Sequence, residues 1–108
     1  MNRVPLADRV LAVVDLVPAG RVVTYGDIAE LLRCSPRMVG RHLALRGSET
    51  TWWRVTNSVG DLPPHLIDEA AQRWDVEGIA VKKNGRGCRI DQHRADLVAL
   101  ADAYEAGG

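Results

Sequence analysis

The sequence lacks any apolar run approaching the about 20 residues that span a bilayer, and its opening MNRVPLADRV has no signal-peptide stretch. A cytoplasmic protein with no membrane partner is therefore expected. Cysteine is scarce too: Cys34 and Cys88 are too few for a disulfide framework or a cysteine zinc site. The three histidines, His42, His65 and His93, show no ligand spacing, so no metal and no other cofactor is expected. Internal repeats and low-complexity tracts are absent. Net charge is missing as well, fourteen Lys and Arg against fourteen Asp and Glu, which taken alone argues against a nucleic-acid partner. At 108 residues with 46% hydrophobic content, the chain fits a single domain over residues 1–108 with one thin core.

The distribution of charge points the opposite way from its sum. Between Arg33 and Arg54 five arginines face one acid, Glu49, and between Lys82 and Arg89 four basic residues face none. The acids gather in 61–77 and 91–105. Segregation of this kind gives a neutral protein a basic face, the footprint that phosphate binding needs.

Periodicity supplies the elements. Leu6, Val10, Val13, Val14 and Val17 recur at helical spacing, predicting a helix over 5–17 that Pro18-Ala19-Gly20 stops. Val22-Val23 reads as extended. Thr24 is an N-cap for a second helix to about Arg33, with Ile28, Leu31 and Leu32 inward. Ser35-Pro36, a cap followed by proline at the first helical position, opens a third helix to about Leu45. Its Met38, Val39 and Leu43 are expected inward and Arg37 and Arg41 outward. The pair is a helix-turn-helix candidate, a pattern shared with many helical hairpins that never touch DNA. Pro63-Pro64 opens a helix over 64–76 that ends near Gly78. Asn84-Gly85, flanked by 79–83 and 86–90, signals a hairpin. A last helix is predicted over 92–105, carrying Leu97, Val98, Leu100 and Ala101. The expected class is mainly α (α+β), with a small basic β-hairpin.

Three segments go beyond this generic picture: Val17-Pro18-Ala19-Gly20-Arg21-Val22-Val23-Thr24-Tyr25-Gly26-Asp27-Ile28-Ala29, Arg37-Met38-Val39-Gly40-Arg41-His42-Leu43, and Trp52-Trp53-Arg54-Val55-Thr56-Asn57-Ser58-Val59-Gly60. Together and in this order they resemble the DNA-binding domain of the O6-alkylguanine-DNA alkyltransferases, from about residue 5 to 81. The enzymes read Pro-Cys-His-Arg-Val in the third segment, where the cysteine takes the alkyl group. Here Trp52 stands at the cysteine and Trp53 at the activating histidine. An indole cannot displace carbon from oxygen, so no alkyl transfer is expected there. Tryptophan at that position is the mark of the alkyltransferase-like branch, and Thr51 and Trp53 depart from its usual Pro-Trp-His-Arg-Val.

The resemblance implies a winged helix-turn-helix of the alkyltransferase C-terminal type. It implies a monomer that binds double-stranded DNA containing O6-alkylguanine, flips the damaged nucleotide, and passes it to nucleotide excision repair proteins. Residue by residue, it makes Tyr25 the side chain that helps turn the target phosphate outward, and Arg37 the finger that fills the vacated stack through the minor groove. A guanidinium suits that task because it is planar, permanently charged and able to stack while hydrogen bonding. Met38, Gly40 and Arg41 share the binding helix, where Gly40 would let a phosphate approach closely. Trp52, Arg54, Val55, Ser58 and His65 are expected to form the lesion pocket, with Trp53 open between pocket and core. Glu77-Gly78 matches the Glu-Gly whose carboxylate orients the enzymes' histidine; with Trp53 there, the relay is lost and Glu77 becomes structural. Two other readings keep the same elements. One is a winged-helix transcription regulator reading the major groove as a dimer, and the other an alkyltransferase using a displaced cysteine.

Overall fold

A computed structural model describes residues 4–107. Helix α1 (Leu6–Leu16) buries Val10, Leu11, Val13 and Val14. It stops at Val17, which is extended because it precedes Pro18. Strand β1 (Val23–Thr24) follows and leads directly into α2 (Tyr25–Leu32). The Thr24 hydroxyl accepts from the Asp27 N–H at 3.0 Å, and the Asp27 carboxylate accepts from the Thr24 N–H at 2.9 Å. This reciprocal capping satisfies two amides that the first helical turn leaves open.

Arg33 closes α2 in the left-handed conformation, φ 57°, where glycine is usual. Ser35 then caps α3 (Pro36–Arg46) by accepting from the Met38 N–H at 3.2 Å, with Pro36 in the first turn. Helices α2 and α3 pack together on α1 as the predicted helix-turn-helix. Val39 is fully buried and Leu43 partly so, but Met38 is 43% exposed, which corrects its inward assignment. A step of about 100° separates it from Val39 and turns it to the outer face.

After α3 the backbone makes two short 3-10 turns, Gly47–Glu49 and Trp52–Arg54, and enters β2 (Val55–Thr56). Strands β1 and β2 pair in parallel, Val23 opposite Val55 and Thr24 opposite Thr56, and this is the two-stranded sheet of the fold. A third 3-10 turn, Pro64–Leu66, opens α4 (Ile67–Glu77), which Gly78 ends in the left-handed conformation.

The chain reverses at Asn84-Gly85 as expected, but without a strand ladder. One antiparallel bridge, Val81 to Cys88, and the bonds from Lys82 N–H to Gly87 O and from Arg89 N–H to Ala80 O hold a four-residue loop. The reversal forms a wing docked on residues 57–62: Cys88 N–H donates to Gly60 O at 2.9 Å, and Lys82 pairs with Asp61.

The predicted last helix is two helices, α5 (Ile90–His93) and α6 (Leu97–Gly107). Val22 divides them by donating to His93 O at 2.9 Å and accepting from Ala95 N–H at 3.0 Å. Arg94 is thereby extended beside Val22, and Asp96 recaps the chain by accepting from Ala99 N–H at 3.0 Å. Leu97 and Val98 of α6 are 38% and 72% exposed, and Leu100 seals α6 on α1.

Two apolar clusters result. One joins α1, α2, α3 and α6 across Val23 and Val55; the other gathers Val22, Leu62, Ala70, Trp74, Ile79, Cys88 and Ile90. Tyr25 packs against both.

Candidate nucleic-acid interface

The basic segment 33–54 divides into spent and free cations. Arg46 is held by Asp8 at 2.6 Å and Glu49 at 2.8 Å, and Arg54 by Glu77 at 2.7 Å. Arg33, Arg37 and Arg41 are exposed and make no ion pair among the described residues. Three uncompensated guanidinium groups thus lie along the turn and outer face of α3. Arg33 is an addition to the residues that the sequence singles out. Its signals are an unpaired charge and a left-handed backbone, which costs a side-chain-bearing residue about 1–2 kcal/mol.

Gly40 belongs to the same helix. A Cβ there would meet nothing within 4 Å, so no packing within the protein requires a glycine. Gly in a helix interior costs about 1 kcal/mol relative to Ala, and the open space over Gly40 continues into a cavity beside α3.

That cavity, about 380 Å³, is walled by Tyr25 at the start of α2, Gly40 and Leu43 of α3, Trp52, His65 and Glu69. Its size falls in the about 300–1,000 Å³ range of small-ligand sites. Three residues expected at the site, Tyr25, Trp52 and His65, converge here from distant parts of the sequence. Burial raises the Tyr25 phenol pKa above its ordinary value, so it stays a neutral, hydrogen-bond-capable ring. Beyond Tyr25, toward the wing, lies a wider hollow of about 790 Å³ bounded by Asn57, Asp61, Pro63 and Arg86.

The Trp52 turn is braced from behind. Arg54 N–H donates to Thr51 O at 3.0 Å, closing the 3-10 turn, and Trp52 meets Trp53 edge-to-face with centroids 5.8 Å apart. Trp53 proves to be a bracket behind the wall, neither pocket lining nor deep core. Its indole N–H donates to Glu77 Oε2 at 2.8 Å, its carbonyl accepts from Trp74 Nε1 at 2.7 Å, and Arg73 covers its face at 4.9 Å. An indole is donor-only, so it satisfies a carboxylate as a histidine N–H would, without offering a base.

Glu77 receives three donors: the Trp53 indole, the Arg54 guanidinium and, at 3.0 Å, the Gly20 N–H. Burial works against its charge, but the bonds from Arg54, Gly20 and Trp53 outweigh burial and lower its pKa from the ordinary 4.5.

Arg54, Val55 and Ser58 do not line the cavity, which corrects their assignment to it. Arg54 is engaged by Glu77 and the Val17 carbonyl, Val55 is fully buried in the β1–β2 pair, and Ser58 is exposed on the 57–60 turn. For Arg54 and Val55 the local cause is the 3-10 turn, which points Trp52 one way and sends these two into the fold. Neither cysteine lines the cavity. Cys88 is fully buried and its thiol is pushed up to about 11, chiefly by that burial; burial also raises Cys34 in the helix-turn-helix turn.

Residues 5–84 match the family model of the 6-O-methylguanine DNA methyltransferase DNA-binding domain. The chain belongs to this family. It is an alkyltransferase-like member with the corresponding fold. It is 36% identical over 84 residues to a DNA base-flipping protein of Vibrio parahaemolyticus, a match covering 72% of this chain and 84% of that protein. Among solved structures it is similar to S. pombe Atl1 in complex with damaged DNA containing O6-carboxymethylguanine, with TM-score 0.73 and 24% identity. It is also similar to an S. pombe ATL in complex with DNA, with TM-score 0.71 and 26% identity. Each structural match covers 89% of this chain and 99% of the other. The wing residues Arg86 and Arg89, with α5 and α6, lie beyond the part that the family model matches.

Proposed function

We propose that the protein recognises O6-alkylguanine in duplex DNA, rotates the damaged nucleotide out of the helix and holds it without removing the alkyl group. The observation that carries this reading is the adjacency of an unpaired arginine face to an aromatic-walled cavity, joined through Gly40. Extruding a base costs a few kcal/mol of stacking and pairing, less when alkylation has weakened the pair, and aromatic walls return part of that cost. In this scheme Arg37 enters the minor groove and fills the vacated stack, Arg33 and Arg41 engage phosphates, and Met38 abuts the groove floor. Tyr25, at the lip shared by cavity and hollow, turns the phosphate. Trp52 stacks on the guanine and His65 faces it. The protein binds one lesion as a monomer, and the bent complex marks the site for nucleotide excision repair.

The test is fluorescence anisotropy with a short duplex bearing one O6-methylguanine and with its unmodified twin, followed by analysis of the recovered DNA. Selective binding with the methyl group retained supports the reading; equal binding to both duplexes overturns it. Arg37→Ala and Tyr25→Ala are each expected to weaken lesion binding at least about tenfold, about 1.4 kcal/mol, with the fold intact by circular dichroism. Unchanged lesion affinity in both would remove the flipping scheme.

Trp52→Cys is expected to gain no alkyl-transfer activity. A cysteine there would have Trp53 where the enzymes have a histidine, and the Trp53 indole donates to Glu77 and supplies no base. The protein mass after incubation with lesion DNA reads the outcome, and a methylated species would contradict it.

A further inference from the structure

The wall of the Trp52 cavity is apolar or aromatic except at Ser48, His65 and Glu69, and Glu69 carries the one Asp, Glu, Lys or Arg charge in it. Its nearest cation, Arg73, sits one helical turn on at 3.7 Å, with both side chains more than half exposed. A contact of that length and exposure neutralises little. The Arg73 guanidinium lies over the Trp53 ring and borders only the neighbouring cleft, whereas Glu69 stands on the ridge between the two and lines both. Arg37 and Arg41, on the outer face of α3, are not part of the lining. A negative group entering the cavity would thus meet a carboxylate and no lining Lys or Arg, in surroundings that strip part of its hydration.

We propose that Glu69 sets the class of lesion this cavity holds: O6 substituents that are uncharged are accepted, and those ending in a carboxylate are disfavoured. The inference rests on the proposed lesion recognition by the same cavity. Guanine itself is neutral, so the wall charge acts on the substituent and leaves the parent base alone. The effect is electrostatic at a partly exposed site and therefore weakens as salt rises.

The experiment measures affinity at about pH 8, above the ordinary imidazole range, so that histidine protonation does not compete. Four duplexes are compared: unmodified, O6-methylguanine, O6-carboxymethylguanine, and O6-carbamoylmethylguanine, the neutral amide of nearly the same shape. The wild-type protein is expected to bind the amide about fivefold or more tightly than the carboxylate at low salt. Glu69→Gln should bring that ratio below about twofold, and Glu69→Lys should invert it. Glu69 is exposed on α4, so neither variant threatens folding, and using a ratio cancels any general change in DNA affinity. Equal affinity for amide and carboxylate in the wild type, or the same ratio in all three proteins, overturns the proposal. If O6-methylguanine is still preferred over unmodified DNA in that case, only the role of Glu69 is lost. No preference for any lesion duplex would instead overturn the recognition scheme, and this inference with it.

Discussion

Replacing Glu77 with alanine is expected to destabilise the protein by about 3–5 kcal/mol, the usual cost of removing one partner of a buried ion pair. The side chain of Glu77 is 10% exposed and that of Arg54 14%, so the orphaned guanidinium could not simply turn to water. The same truncation frees the Trp53 indole N–H and the Gly20 amide. Each unsatisfied donor adds to the cost. Three segments are joined at this one carboxylate: the turn after α1, the Trp52–Arg54 turn and the end of α4. An acid in the last turn of a helix also opposes the helix dipole, so this position is tenable only because the donors outweigh it. With total stabilities of about 5–15 kcal/mol for domains, the variant is expected to be at the margin of folding. Denaturant titration measures the loss, and a change below about 1 kcal/mol would show that the pair is not what braces the turn.

Glu77→Gln keeps the shape and tests the charge. Because the folded-state pKa is lowered below 4.5, folding favours the ionised form. The contribution is complete above the unfolded-state value and is lost as pH falls through the folded one. Wild-type stability should therefore decline on acidification below about pH 4.5 more steeply than that of Glu77→Gln, in which this contribution is absent at every pH.

Features written in a few adjacent residues were legible, and those requiring distant backbone were not. Thr24, Ser35 with Pro36, and Gly78 each act within one helical turn, and each helix boundary they announce is present. The break at Arg94 follows from Val22, some seventy residues earlier, whose backbone claims His93 and Ala95. Nothing local marks the competing bridge. The parallel β1–β2 pair is two residues per strand, too short for any alternation to show. At the site, resemblance named Tyr25, Trp52 and His65, which the fold brings around one cavity, and equally Arg54, Val55 and Ser58, which do not line it. The 3-10 turn separates nearness along the chain from nearness in space. The space above Gly40 is open to the cavity, a feature of packing that the glycine alone does not announce.

Gly60→Ala is expected to detach the wing, at a cost of about 3 kcal/mol from overpacking and the left-handed backbone together. Gly60 has φ +89°, and a Cβ there would fall inside the contact distance of the Cys88 carbonyl and 3.3 Å from Ile90 Cγ2. Gly87 faces the same junction from the other side, where a Cβ would lie 2.6 Å from the Asp61 Cα and closer still to the Gly60 carbonyl. Apart from Ile90 Cγ2 these obstacles are backbone atoms, which cannot rotate away as a flexible side chain could. The two backbones are also hydrogen bonded at this point, so relief would have to come from separating them, with loss of the Cys88 N–H to Gly60 O and Leu62 N–H to Arg86 O bonds. Cys88 reports the event. In the wild type its thiol is fully buried and raised to about 11, so it should resist a thiol reagent, while the partly exposed Cys34 serves as an internal reference. Opening the wing in Gly60→Ala should raise the Cys88 rate by at least about tenfold relative to Cys34, because about 3 kcal/mol of lost local stability more than suffices for that factor. An unchanged rate ratio would mean that the wing reaches its place without the close approach at Gly60. The hollow between Tyr25 and Arg86 depends on that approach, since one of its walls is the wing itself.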